Sequence, residues 1–192
     1  MEQQYVSYIR EQLHAVLGID SPSGCTEEVQ QYLCDTLRAM GYAPRRLVKG
    51  GVHVTLGGEG EPLTLLAHAD TLGAVVQYIK PNGRLAISNM TLNVHNAEAE
   101  NVKVITRFNG AHEGTLQLCN ASVHVNPDPN QARDLNKNME IVLDYDVKTK
   151  EDVEKMGILP GDAIALEPRL RITETGYVKS RYLDDKASVV AL

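Results

Sequence analysis

The stretch P-L-T-L-L-A-H-A-D-T-L-G-A-V-V, Pro62 to Val76, decides how this chain is read. Leu63 to Ala67 is apolar but for Thr64, the composition of a strand covered on both faces. His68 and Asp70 follow, two residues apart, where that strand should end. Folding requires neither an imidazole nor a carboxylate there, whereas open α/β sheets place ligand sites at the carboxyl ends of their strands. A neutral imidazole is a good ligand for zinc or cobalt, and such a ligand needs an acceptor that fixes its tautomer. Asp70 has that chemistry. A strand-end His and Asp that simply face solvent is the other account of the pair.

Working outward, residues 1–71 alternate helix and strand signals. "YVSYIREQLHAVLGI" places Val6, Ile9, Leu13, Val16 and Leu17 on one helical stripe, and "SPSG" at 21–24 breaks it. Thr26 is positioned to cap "EEVQQYLCDTLRAM", with Glu27 and Glu28 in the first turn and Gly41 past the end. "RRLVK", "VHVTLG" and "LTLLA" read as strands. "GGEGEP", 57–62, has no following helix and is a tight turn, not a phosphate cradle.

Residues 72–160 change character. "AVVQYIK", "RLAIS", "VKVITRF", "TLQLC", "SVHVN" and "EIVLDYDV" are short, closely spaced strand signals, which suggests a small barrel or sandwich. "TKEDVEKMG" fits one helix, Thr149 and Asp152 forming a capping pair and Gly157 a stop. "NPDPNQARDLNKN", 126–138, is polar and reads as a mobile loop. Residues 161–192 return to the α/β pattern, with strands in "DAIALEP" and "YVKSRYL" and a helix opening at "DDKASVVAL".

The 192 residues are 43% apolar, enough for a core, and the net charge of −6 argues against a phosphate-backbone binder, so no nucleic-acid partner is expected. Arg45, Arg46 and Lys49 are the densest basic cluster and read as solvated surface. Cys25, Cys34 and Cys119 are odd in number and lack CxxC spacing, as reduced thiols of a cytoplasmic protein would. The polar first residues are no signal peptide, and no apolar run approaches the ~18–20 residues of a membrane span.

"YLDDK", 182–186, is the second constellation. Asp184 and Asp185 at a strand-to-helix junction suit a helix start; alternatively, one of them is a carboxylate bridging two cations, the arrangement that polarises an attacking water. His14, His53, His95, His112 and His124 fall on polar helix faces, strands or turns and are read as non-catalytic, as are Asp144 and Asp146.

Taken together, "SPSGCTEE", "LLAHADTLG", the β-rich insertion, "GILPGDAIALEP" and "SRYLDDKAS" resemble the cocatalytic metalloaminopeptidases, the family of glutamyl, deblocking and tetrahedral dodecameric aminopeptidases, some once labelled endoglucanase or cellulase. The resemblance implies an α/β/α sandwich of the zinc-peptidase kind carrying an inserted, barrel-like (PDZ-like) dimerisation domain. It implies His68 as a terminal ligand of one metal, Asp70 as its orienting partner in catalysis, Asp184 as the bridge between two divalent ions, zinc or cobalt, and Asp185 as a neighbour that is often Asn. Thr71 stands where many relatives have Glu and Lys186 where many have Arg, which bears on substrate preference.

The implied reaction is removal of N-terminal residues from peptides, and the implied partners are peptide substrates and further copies of the chain, in dimers or dodecamers joined through the insertion. Relatives continue into a Glu-Glu pair, a further Asp and a final His, which this sequence has no residues after Leu192 to supply. The chain is therefore expected to be the N-terminal portion of such an enzyme, inactive alone. A non-catalytic assembly module and an endoglucanase are the competing readings. A glycosidase ordinarily needs a carboxylate pair without metal.

Overall fold

The structure, a computed structural model, describes residues 2–192. It divides into two compact units, one formed by the chain up to Thr71 with Pro168–Leu192, the other by Leu72–Glu167.

In the first unit, α1 spans Glu2–Gly18 and α2 spans Glu27–Ala39. Of the expected α1 stripe, Val16 and Leu17 are buried and Leu13 partly so, while Val6 and Ile9 stay exposed. The Tyr32 hydroxyl donates to Gln12 Oε1 at 2.8 Å, tying α2 to α1. Thr26 departs from expectation. Its hydroxyl caps no backbone amide but accepts from Gln30 Nε2 at 2.7 Å, so the first turn relies on Glu27 and Glu28 against the helix dipole. At the other end Gly41, at φ +90°, takes the left-handed turn that lets its amide return to Arg38 O and that of Tyr42 to Leu37 O.

β1 (Arg45–Arg46) and β2 (Val52–His53) form a two-residue antiparallel ladder. Arg46 is more than solvated surface, since its guanidinium donates to Glu27 O and Gln31 Oε1 on α2. The expected third strand, "LTLLA", is corrected: among the described residues 62–70 join no strand, and Leu63 and Leu66 are each 86% exposed. Its composition suits a central strand, but no strand among the described residues lies beside it to take up its backbone hydrogen bonds.

The second unit is a closed antiparallel barrel, the architecture the short alternating runs imply. β3 (Gly73–Ile79), β4 (Leu85–Asn89), β5 (Glu100–Ile105), β6 (Ala111–Leu118), β7 (Met139–Leu143) and β8 (Ala163–Leu166) close in the order β3-β4-β7-β6-β5-β8. Alternation of inward and outward residues packs Leu85, Ile87, Val104, Leu116, Ile141 and Ile164 into one core. β8 pairs with both β3 and β5, so "DAIALEP" closes the barrel, and the second boundary falls after Glu167 instead of near 160. The helix α3 (Lys150–Lys155) has the expected capping box between Thr149 and Asp152 and buries Val153 in the core.

Two loop readings change. "SVHVN" forms a turn, its amides at Val125 and Asn126 both returning to Ser122 O, with Val123 and Val125 exposed. The polar stretch 126–138 is held in place: Leu135 enters the core, Asn138 Nδ2 donates to Gln131 Oε1 and Ala132 O, and Arg133 forks onto Glu98.

The return to the first unit runs through a small hairpin, β9 (Arg171–Ile172) with β10 (Val178–Lys179), into α4 (Leu183–Ala191). α4 packs on α1 and leaves Val189 and Val190 half-buried. Among the described residues no helix is long and apolar enough to cross a membrane.

Candidate functional site

His68, Asp70 and Asp184, singled out in sequence, stand together in the first unit. His68 Nδ1 lies 3.2 Å from Asp70 Oδ1 and 3.2 Å from the Asp70 carbonyl oxygen. His68 Nε2 lies 3.4 Å from Asp184 Oδ1. Asp185, joined to Asp184 by a cis peptide bond, accepts from the His68 backbone amide at 3.4 Å.

The neighbours assign the imidazole's protons. Both groups beside Nδ1 are acceptors only, so Nδ1 carries the hydrogen. Nε2 then points its lone pair at another acceptor, the Asp184 carboxylate. That contact is favourable only if a proton or a cation lies between the two atoms. Partial burial pulls the His68 imidazole down, but Asp70, Asp184 and Asp185 outweigh it and hold the group above its ordinary range. The Ser188 hydroxyl and the His68 amide keep the Asp185 carboxyl below its usual range.

A cation fits the same place. With ligand bonds of about 2.1 Å, two corners of a tetrahedral zinc sphere stand about 3.4 Å apart, the separation found between His68 Nε2 and Asp184 Oδ1. The donor set is small: no three His, Cys, Asp or Glu side chains gather in metal-holding geometry among the described residues. Asp184 is 95% exposed at its side chain, so its carboxylate is free to turn toward a ligand.

Two supporting residues were not identified from the sequence. Ser23 Oγ donates to Asp70 Oδ2 at 2.6 Å, and nothing in the periodicity of "SPSG" announces that this turn meets residue 70. Lys186, noted only as a departure from relatives, is fully buried and donates to Ile19 O at 2.6 Å and Val16 O at 2.9 Å. Burial pushes its ammonium down to about 8, with Asp20 opposing the shift. Its sequence signal was position: Lys186 sits on the apolar side of α4, three and four residues before Val189 and Val190.

Comparison with known proteins places these features. Residues 50–192 match the family model described as M42 glutamyl aminopeptidase. The putative aminopeptidase YhfE of Bacillus subtilis (strain 168) is 39% identical over 185 residues, covering 95% of this chain and 54% of that protein. Among solved structures, an aminopeptidase from the archaeon Desulfurococcus kamchatkensis superposes with a TM-score of 0.80 at 23% identity, over 98% of this chain and 50% of the other. The TET1 peptidase of Pyrococcus horikoshii, which assembles into a tetrahedron or a large octahedral shell, gives 0.80 at 19%, over 95% and 55%. The chain thus spans about half the length of the proteins it matches. The match to the family model extends from before the first motif to beyond the second, and with the YhfE likeness it makes this chain a member of the M42 glutamyl aminopeptidase family.

Proposed function

We propose that the whole protein carrying this sequence is a metal-dependent aminopeptidase, with His68 and Asp184 as metal ligands and Asp70 orienting His68. The observation that carries this reading is the 3.4 Å approach of His68 Nε2 to Asp184 Oδ1 with Asp70 behind the ring. Two divalent ions, zinc or cobalt, would supply Lewis acidity and an acidified water for peptide-amide hydrolysis. The chain's own residues do the positioning. Asp70 holds the Nδ1 proton, which leaves Nε2 bare, and the exposed Asp184 carboxylate would serve as an anionic ligand to the ions. Exposed and flanked by acidic groups, the site suits the free amine of a peptide N-terminus.

Two tetrahedral spheres call for about four ligands each, and His68 with Asp184 supply too few. The remaining donors and the general base would come from elsewhere in the whole protein, and residues 1–192 alone should turn over no peptide. In that protein the first unit would belong to an α/β/α sandwich. The barrel would act as a PDZ-like dimerisation unit, a role supported by the assembling TET1 relative. The three free cysteines agree with a cytoplasmic setting.

The test is release of N-terminal residues from peptides and chromogenic aminoacyl substrates by the whole protein. Chelator should abolish it, zinc or cobalt should restore it, and His68→Ala should lower it by at least about a hundredfold. Undiminished activity in chelator or in His68→Ala would contradict the proposal.

A further inference from the structure

Asp70 can orient His68 only if its own carboxylate is held, because an aspartate χ2 is a broad, nearly two-fold rotor. The structure shows what holds it. Ser23 Oγ donates to Asp70 Oδ2 at 2.6 Å, the length of a charge-assisted O–H···O⁻ bond. Another acceptor, Thr71 O, lies 3.4 Å from the same hydroxyl and competes poorly. With Oδ2 occupied, Oδ1 is the carboxylate oxygen left facing His68 Nδ1, beside the Asp70 carbonyl oxygen at the same distance.

The hydroxyl itself stands on a fixed platform. Ser23 N donates to Thr71 O at 3.1 Å, Thr71 N to Ser21 O at 2.8 Å, and Ser21 Oγ to Ala69 O at 2.7 Å. Pro22 and Thr71 form a parallel bridge, and Gly24, at φ +87°, lets the chain turn away immediately afterwards. The 21–24 turn is thus clasped across the end of the His68–Asp70 segment.

We propose that Ser23 is a positioning residue: it fixes the Asp70 carboxylate so that His68 keeps its hydrogen on Nδ1 and presents a bare Nε2 toward Asp184. The purpose of this arrangement rests on reading His68 as a metal ligand, but its measurement does not. In the metal-free chain the neutral ring has two ways to place its proton, Nδ1–H toward Asp70 or Nε2–H toward Asp184. Ser23 tips that competition toward Asp70.

The experiment reads the His68 tautomer from side-chain ¹⁵N shifts in the metal-free chain, at a pH where the ring is neutral. The original chain should be dominated by the Nδ1–H form. Ser23→Ala should move the tautomer ratio several-fold toward Nε2–H, and Ser23→Thr, which restores a hydroxyl, should recover it. Ser21→Ala is the control for a purely structural role. It loosens the same turn through Ala69 O without removing the bond to Asp70, so it should shift the tautomer far less than Ser23→Ala does. An unchanged tautomer in Ser23→Ala, or equal shifts in Ser21→Ala and Ser23→Ala, would overturn the proposal. Failure of the metal reading would show instead as metal-independent activity of the whole protein, with the tautomer result still deciding the role of Ser23.

Discussion

Lys186 Nζ lies 2.6 Å from the carbonyl oxygen of Ile19, a contact spanning 167 residues of sequence, and 2.9 Å from that of Val16. The last turn of a helix leaves its carbonyls without intrahelical partners, and its partial negative charge favours a cation. Lys186 supplies the donor and the charge from inside the unit, which joins the start of α4 to the end of α1.

Lys186→Met keeps the aliphatic stem but removes the donors. It should destabilise the first unit by about 1–3 kcal/mol, the usual cost of leaving buried acceptors unpaired. Lys186→Ala also empties the space the stem fills and should cost more, in the range of about 2–5 kcal/mol for comparable truncations. Amide hydrogen exchange along α1 and α4 checks both. Unchanged protection in Lys186→Ala would show that the contact contributes nothing.

The barrel encloses a charge cluster. The Glu140 carboxylate, 3% exposed, accepts from Lys80 Nζ at 2.7 Å and also bonds the Arg84 guanidinium. Burial alone would lower the Lys80 ammonium, but Glu140 and Cys119 hold it above its ordinary value. Glu140→Leu should cost about 3 kcal/mol of barrel stability, because it strands partly buried cations. Adding Lys80→Met should recover part of that loss. A double variant less stable than Glu140→Leu would contradict this account of the cluster.

Asp152 gives the barrel an acid-sensitive helix start. The backbone amide of Lys148, then the Thr149 hydroxyl and amide, hold its carboxyl below the usual range. A depressed carboxyl contributes stability that is present above its unfolded value and lost as pH falls through the folded one. Asp152→Asn should therefore be less stable than the original chain near pH 6, with the gap closing toward about pH 2. Urea titrations at both ends of that window read it, and a gap that stays constant would refute the linkage. Thr149→Ala, which breaks the other half of the box, should cost about 1 kcal/mol near pH 6.

The assembly proposal is tested by sedimentation. The whole protein should form at least dimers, and an isolated barrel surface acting as the contact should give loss of dimer when its exposed Phe108 is changed to Glu. A strictly monomeric species at high concentration would contradict a dimerising role for the barrel.

Much of this was legible because it is local. The strands of β3 to β8 follow alternation with a period of two, and the Thr149–Asp152 box is a short-range pattern with one mechanism. "DAIALEP" reads as a strand, but nothing in its four apolar residues says that they pair with β3 and β5 and so belong to the barrel. "LTLLA" has a central strand's composition, but a strand forms only with partners, and composition alone does not supply them. At the site, His68, Asp70 and the Asp184–Asp185 pair stand out by type and position, while the choice of Asp184 and the roles given to all three rest on the family resemblance. Ser23 was invisible because its role depends on a contact 47 residues away.

The most direct test of the central claim is anomalous diffraction from the whole protein loaded with zinc. The account predicts a metal within about 2.0–2.2 Å of both His68 Nε2 and an Asp184 oxygen, with Asp70 still bonded to Nδ1. A zinc ion bound away from these residues, or a loaded active enzyme with none at His68, would contradict it.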